Sequence, residues 1–145
     1  MKENFAFTVK KDIRAAFLAL TDLNAMSAFS QGKIEVSRIP GTPSAGPGSA
    51  LLLRLPAAGG QEVRCETLEW DEPRRCVRRL AVPDLPTIVS IDFMEQADCS
   101  TKVTVDVEVT PQSMLYKMML PILAKQVMAQ KEKALQDFQR QLEQA

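Results

Sequence analysis

The chain contains 145 residues, of which 46% are hydrophobic and 25% are charged, a balance typical of a folded globular domain. Lysine plus arginine number 18, as do aspartate plus glutamate, so no net charge would draw the chain to nucleic acid or to an acidic membrane. The absence of histidine excludes Ser-His-Asp and Cys-His catalytic arrangements and histidine-based metal sites. We therefore predict one domain over residues 1–145, with no catalytic residue, no metal, no cofactor and no nucleic-acid partner.

The chain start and the cysteines predict the compartment. Residues 1–4 pass directly into a strand-like pattern without the apolar segment of a secretory leader. No apolar run approaches the roughly 18–20 residues that span a bilayer. Cys65, Cys76 and Cys99 are an odd number of widely separated cysteines, which favours free thiols over a disulfide framework. We expect a cytoplasmic protein without a transmembrane segment, and a homodimer remains an open alternative.

The N-terminal elements follow from a change of periodicity. Residues 4–9 alternate between larger apolar side chains and smaller or polar ones, which predicts a half-buried strand. Residues 11–20 carry apolar side chains at helical spacing, with Asp12 in the first turn, where an acid suits the helix dipole. Residues 23–29 predict a second short helix.

Residues 33–109 predict a series of strands separated by turns. Val103, Val105 and Val107 share one face of the last strand, opposite polar and charged residues. Such alternation indicates one buried and one solvated face, which is typical of an antiparallel sheet. No helical pattern interrupts this region, so parallel crossovers are excluded. The breaker-rich segments that separate the strands are 40–48, 57–60, 71–74 and 83–86.

The sequence after Pro111 is helical in pattern to the end of the chain. Ser113 can cap this helix, and apolar residues recur every three or four positions from Leu120 to Leu142. Thirty residues would reach roughly 45 Å, enough to cross a small domain, so this helix can cover the apolar face of the sheet. The predicted fold class is α+β: a curved antiparallel sheet of six to seven strands wrapped around a long C-terminal helix, with two short helices after strand 1.

Four segments resemble one known superfamily. They are the helix entry at 9–13, the Gly-Pro-Gly-Ser run at 46–49, the strand and acidic-proline-basic corner at 66–75, and the threonine-rich strand start at 100–104. In this order they are similar to the SRPBCC or START-like (Bet v 1-like) superfamily, in particular its polyketide cyclase/dehydratase-like branch. The resemblance covers nearly the whole chain. It implies a helix-grip fold with an internal cavity, which in many relatives binds lipids, sterols, quinones or polyketides.

The helix-grip geometry implies which apolar side chains would line such a cavity. Strand residues of the buried face and the first turns of the C-terminal helix are the candidates, although a methionine-rich helix face is also typical of ordinary core packing. The predicted lining residues are Phe29, Leu53, Val89, Ile91, Phe93, Val103, Val105, Val107, Leu115, Met118, Met119, Ile122 and Leu123.

Three polar residues are candidate anchors for a ligand. Alternation places Arg78 and Arg79 on opposite faces, so an inward Arg78 could bind a carboxylate or phosphate; the alternative is a solvated pair. An inward Glu66 would have a raised pKa and could transfer protons; the alternative is an outward, solvated strand residue. Tyr116 could offer its hydroxyl group to a ligand; the alternative is an exposed or packing tyrosine.

Three functions are consistent with this reading. The leading hypothesis is non-catalytic binding of a hydrophobic small molecule, such as a lipid, a quinone or a polyketide-like compound, between the sheet and the C-terminal helix. The second is a polyketide cyclase/dehydratase-like enzyme that uses a cavity carboxylate or tyrosine. The third is a co-chaperone-like protein-interaction domain, which predicts an exposed apolar patch of several hundred square ångströms or more instead of a deep cavity.

Overall fold

The computed structural model describes residues 1–22, 34–43, 46–56, 59–119, 121–122 and 140. Within these residues an antiparallel sheet of seven strands confirms the predicted sheet. Residues 114–119 and 121–122 are also helical. The other elements, in chain order, are β1 Lys2–Val9, α1 Ile13–Thr21, β2 Glu35–Arg38, β3 Ala50–Leu55, β4 Gln61–Asp71, β5 Arg75–Leu80, β6 Thr87–Glu95 and β7 Thr101–Val109.

The strands lie in the order β1-β7-β6-β5-β4-β3-β2. From β2 to β7 each strand pairs antiparallel with the next in sequence, and β1 pairs antiparallel with β7. Side chains alternate between the two faces of a sheet, so Phe93 and its partner Val103 share a face with Ile91 and its partner Val105. We call this the inner face. Its apolar side chains need a cover, which α1 supplies in part.

Helix α1 has a well-defined start and packs through one side. The side chain of Asp12 caps it by accepting a hydrogen bond of 2.8 Å from the backbone N–H of Ala15, as preferred at a helix N-terminus. Ala16, Phe17 and Leu20 recur at helical spacing and are buried. The helix predicted over 11–20 is thereby found at Ile13–Thr21.

Two apolar clusters stabilise the sheet. The larger cluster lies beneath α1, and the smaller one lies at β3 and β4. Burying each large apolar side chain contributes about 1.5–3 kcal/mol, so these clusters fix α1 and the strands relative to each other. The larger cluster contains Val9, Ala16, Phe17, Leu20, Cys76, Phe93, Val103 and Val105. The smaller cluster contains Leu53, Val63 and Cys65.

The pairing of strand β4 with β5 is interrupted by one extra residue on β4. Thr67 pairs with Arg78, whereas Glu69 pairs with Val77, so the residue between Thr67 and Glu69 has no partner on β5. Such a bulge changes the parity of the side chains that follow it. Trp70 therefore lies on the inner face together with Thr67, although the two residues are an odd number of positions apart, and it packs against the cluster beneath α1.

The C-terminal helical segment begins where the sequence predicts. The hydroxyl of Ser113 accepts a hydrogen bond of 3.2 Å from the N–H of Tyr116. The backbone carbonyl of Ser113 accepts one of 3.0 Å from the N–H of Lys117. Most of the predicted long helix, and the whole of the predicted helix over 23–29, lie outside the described residues. Among the described residues, no helix has the length and apolar character needed to cross a membrane.

Candidate functional site

A pocket of about 590 Å³ opens between the C-terminal end of α1 and strands β3, β4 and β5. We call it the α1 pocket. Thr21 of α1, Thr67 of β4 and Arg78 of β5 contribute to its walls. Sites for small organic molecules typically measure about 300–1,000 Å³, so the α1 pocket is large enough for such a ligand.

The α1 pocket has aliphatic and aromatic walls. Leu18 of α1, Leu51 of β3 and Trp70 of β4 line it, together with the smaller Ala50 and Cys65. Trp70 is held in place because its ring contacts the buried ring of Phe17 edge-on. These residues form a preformed apolar surface.

The glycine-rich turn before β3 fixes two hydroxyl groups at the pocket wall. The N–H of Gly48 donates to the carbonyl of Thr67 over 3.0 Å, and the N–H of Thr67 donates to the carbonyl of Ser49 over 2.8 Å. The Ser49 hydroxyl donates to Thr67 Oγ1 over 3.0 Å. Gly46 and Gly48 have φ angles of +83° and +84°, which glycine adopts without strain. Both hydroxyl groups thus line the pocket in a fixed position.

Arg78 is the most deeply placed charge of the α1 pocket. Its Nη2 atom donates a hydrogen bond of 2.6 Å to the carbonyl oxygen of Thr21, the last residue of α1. A cation is favourable there, because the C-terminal end of a helix carries partial negative charge. Its Nε atom is buried and has no hydrogen-bond partner among the described residues. Arg78 also makes no salt bridge within this part of the chain, unlike Arg54, Arg64, Arg75 and Arg79.

The charge of Arg78 acts electrostatically on two buried thiols, those of Cys65 and Cys76. Burial raises the pKa of Cys65, and the charge of Arg78 opposes that rise. Burial likewise raises the pKa of Cys76, again against the effect of Arg78. Both groups are therefore neutral thiols at neutral pH, and neither provides a negatively charged partner for Arg78.

Three exposed charged residues also contribute to the lining of the α1 pocket. They are Asp22, Arg38 and Glu72. Because solvent screens exposed charges strongly, they act more weakly on a bound molecule than Arg78 does.

Most of the apolar residues predicted to line a cavity lie elsewhere. Phe93, Val103 and Val105 are buried beneath α1, and Val89, Ile91 and Val107 pack against that cluster. Leu53 belongs to the smaller cluster. The helical residues Leu115, Met118, Met119 and Ile122 are exposed. None of these residues lines the α1 pocket, and Phe29 and Leu123 lie outside the described residues.

The three predicted polar anchors occupy different positions. Arg78 faces the α1 pocket. Glu66 lies on the opposite face of β4, where it pairs with Arg79 over 2.8 Å and with Arg64 over 3.5 Å, so the inward placement considered for Glu66 is wrong. Tyr116 is half-buried on the C-terminal helical segment and is not among the residues that line the pocket.

Sequence reasoning missed several lining residues. The helical periodicity of α1 predicts that Leu18 and Thr21 lie near its C-terminal end. That pattern does not show that a pocket opens there. The position of Trp70 on the inner face depends on the bulge in β4. Strict alternation would place Trp70 on the other face of the sheet from Thr67. Alternation from Cys65 to Thr67 was the usable signal for the β4 wall.

No group of three or more Cys, Asp or Glu residues in the described part of the chain is arranged to hold a metal ion. The α1 pocket therefore offers apolar contacts, hydroxyl hydrogen bonds and the half-buried guanidinium of Arg78, with the exposed charges of Asp22, Arg38 and Glu72 also in its lining.

Comparison with solved structures identifies the fold. A START superfamily protein from Mycobacterium smegmatis matches with a TM-score of 0.72 and 17% identity over 97% of this chain and 98% of that chain. Ara h 8.0201 matches with a TM-score of 0.74 and 15% identity over 100% and 99%. An HSP90 activator from Plasmodium falciparum matches with a TM-score of 0.60 and 19% identity over 80% and 78%. The chain therefore has the START-like, or Bet v 1-like, fold. The SRPBCC/START-like resemblance is confirmed as a likeness of fold.

Sequence comparison adds nothing to this result. No protein-family model matches the chain, and no curated protein matches it. At identities of 15–19% the likeness concerns the fold, since one fold serves many functions. The function must therefore be argued from the α1 pocket.

Proposed function

We propose that this protein binds a hydrophobic small molecule in the α1 pocket without transforming it. The observation that carries the proposal is a pocket of about 590 Å³ with Leu18, Leu51 and Trp70 in its walls and a few convergent polar groups. Ligand sites of proteins have this composition: apolar walls supply affinity, and a small number of polar groups fix orientation. The fold supports the proposal, because the α1 pocket lies between α1 and the strands of the sheet.

The single tryptophan provides a direct measurement. Trp70 is the only tryptophan of the chain, and it lines the α1 pocket, so its emission should change when an apolar molecule enters. The probe is N-phenyl-1-naphthylamine, which is neutral and fluoresces in apolar surroundings. We expect saturable binding of one probe per chain, with a parallel change in Trp70 emission.

A pair of substitutions locates the binding site. Leu18 lines the α1 pocket and is 54% exposed, so Leu18→Glu should fold and should weaken probe binding by about tenfold or more, because it places a charge against an apolar ligand. Ile88 is 37% exposed on β6 and does not line the pocket, so Ile88→Glu is the matched control and should bind as the unmodified protein does. Equal binding by both variants, or no saturable binding at all, would contradict the proposal.

A protein-interaction role is the second candidate, and the C-terminal helical segment favours it. Met114, Leu115 and Met118 are 76%, 64% and 73% exposed, and methionine-rich apolar faces suit protein partners. One similar structure is an HSP90 activator. Calorimetric titration with purified HSP90 would test this role. Binding that a Met114→Glu/Met118→Glu variant loses would support it, and absence of binding would end it.

Neither Glu66 nor Tyr116, the two residues predicted to serve an enzymatic reaction, lines the α1 pocket. Glu66 lies on the outer face in two ion pairs, and Tyr116 does not line the α1 pocket. No specific observation therefore favours a cyclase- or dehydratase-like reaction over binding.

A further inference from the structure

The guanidinium of Arg78 has more donors than partners. Its hydrogen-bonded contact is the one from Nη2 to the carbonyl of Thr21, and its Nε–H is buried without an acceptor among the described residues. A guanidinium group presents five N–H donors and is charged at every physiological pH. Leaving a buried donor unpaired costs free energy, and more so on a charged group. The Nε–H of Arg78 therefore lacks a hydrogen-bond acceptor among the described residues.

The described protein groups near Arg78 do not complete it. Cys65 and Cys76 are the neighbouring titratable side chains, and burial keeps both as neutral thiols. Asp22 and Glu72 line the same pocket, and Arg78 takes part in none of the salt bridges found among the described residues. Both carboxylates are exposed, so their charges are screened. Among the described residues Arg78 thus has no carboxylate partner, and a molecule in the pocket can supply the acceptor.

A hydroxyl group lies beside Arg78 on the neighbouring strand. Thr67 pairs directly with Arg78 across β4 and β5, and both residues line the α1 pocket. Thr67 Oγ1 accepts the hydrogen bond from Ser49, which leaves its own proton free to donate. Arg78 and Thr67 together present donors in a pocket whose walls also carry the apolar side chains of Leu18, Leu51 and Trp70.

We propose that Arg78 selects ligands with an acidic head, so that the molecule bound in the α1 pocket is an apolar compound with one carboxylate at its end. The carboxylate accepts from the Arg78 guanidinium and from the Thr67 hydroxyl, and the apolar body lies against Leu18, Leu51 and Trp70. Charge-assisted hydrogen bonds to arginine are about twice as strong as neutral ones. This inference rests on the proposed function and adds the chemical class of the ligand.

The test compares two probes that differ only in the head group. Dodecanoic acid and dodecan-1-ol carry the same chain length, and each is titrated at pH 7 in competition with N-phenyl-1-naphthylamine. We expect the acid to bind about tenfold or more tightly than the alcohol. Arg78→Gln should abolish this preference by weakening binding of the acid far more than binding of the alcohol. Arg79→Gln is the matched control, because Arg79 follows on the same strand, pairs with Glu66 on the outer face and should leave the preference intact.

The outcomes separate this inference from the proposed function. Equal affinities for acid and alcohol in the unmodified protein, or an acid preference that survives Arg78→Gln, would overturn the role of Arg78 and leave apolar binding in place. No binding of either molecule or of the neutral probe would overturn the proposed function itself. Should Arg78→Gln fail to fold, NMR of the unmodified protein with ¹⁵N-labelled arginine provides the test. The Nε–H resonance assigned to Arg78 must shift with dodecanoic acid and not with dodecan-1-ol. Its failure to shift refutes the proposal.

Discussion

The ring of Phe17 meets the ring of Trp70 edge-on, with centroids 4.9 Å apart and planes at 80°. Phe17 belongs to the core, where it is fully buried, whereas Trp70 forms a wall of the α1 pocket. The two rings are therefore the boundary between the part of the protein that stabilises the fold and the part that is open to a ligand. Phe17 also contacts Phe93 at a centroid distance of 5.1 Å, so one aromatic side chain joins α1 to both β4 and β6.

Truncation of Phe17 should destabilise the whole domain. Phe17→Ala removes a fully buried ring and leaves a cavity beneath α1, which typically costs about 3–5 kcal/mol. Urea denaturation measures the free energy of unfolding. Leu18→Ala, at the next residue, removes a side chain that is 54% exposed and should cost about 0.5 kcal/mol or less. Similar losses for both variants would show that α1 does not pack as described.

The cap at Asp12 should contribute a measurable part of the stability of α1. Its carboxylate accepts the N–H of Ala15 over 2.8 Å, so Asp12→Ala leaves that donor unpaired and should lower the free energy of unfolding by about 1 kcal/mol. Asp12→Asn keeps an acceptor at the same position and should retain most of the stability. Chemical denaturation of both variants distinguishes a capping bond from a simple charge effect, because an effect of charge would make the two losses equal.

The thiols should differ sharply in reactivity. Cys65 and Cys76 are buried, and burial raises the pKa of both, so little thiolate is available for reaction. Cys99 is exposed in the turn between β6 and β7. We expect Ellman's reagent to modify one thiol quickly in the folded protein and all three cysteines of the chain after denaturation. Cys99→Ser should remove the fast phase, and a fast phase that persists would place another thiol at the surface.

The strands were predictable from the sequence because their residues obey a local rule. Val103, Val105 and Val107 alternate with polar neighbours, and the inner face of β7 follows from that pattern alone. The choice between Arg78 and Arg79 also follows from alternation, once one inner-face residue of β5 is known. What alternation cannot show is which element covers a given stretch of the face, so residues beneath α1 were expected to line a cavity.

Trp70, which lies in the β4 wall of the pocket beyond the bulge, was not predictable by the same rule. The bulge after Thr67 places Trp70 on the inner face, and a bulge depends on how two strands pair, which a single strand's pattern does not encode. The end of α1 posed a similar difficulty, since the bond between Arg78 and Thr21 joins residues 57 positions apart. Local patterns thus predicted the elements, and long-range pairing determined the site.

The turn between β6 and β7 should show a pH dependence with a defined sign. The Ser100 hydroxyl and backbone N–H donate to the Asp98 carboxylate, and the hydroxyl bond is the main cause that lowers the pKa of Asp98. A carboxyl group whose pKa is lower in the folded state stabilises the protein above its unfolded pKa of about 3.9. This contribution is lost as pH falls through the lower folded pKa. Ser100→Ala should therefore raise the pKa of Asp98 towards its ordinary value, as followed by ¹³C NMR of the side-chain carboxyl. Ser37→Ala, on the distant strand β2, should leave the Asp98 titration unchanged. A midpoint that stays low in Ser100→Ala would mean that another group stabilises the charged form.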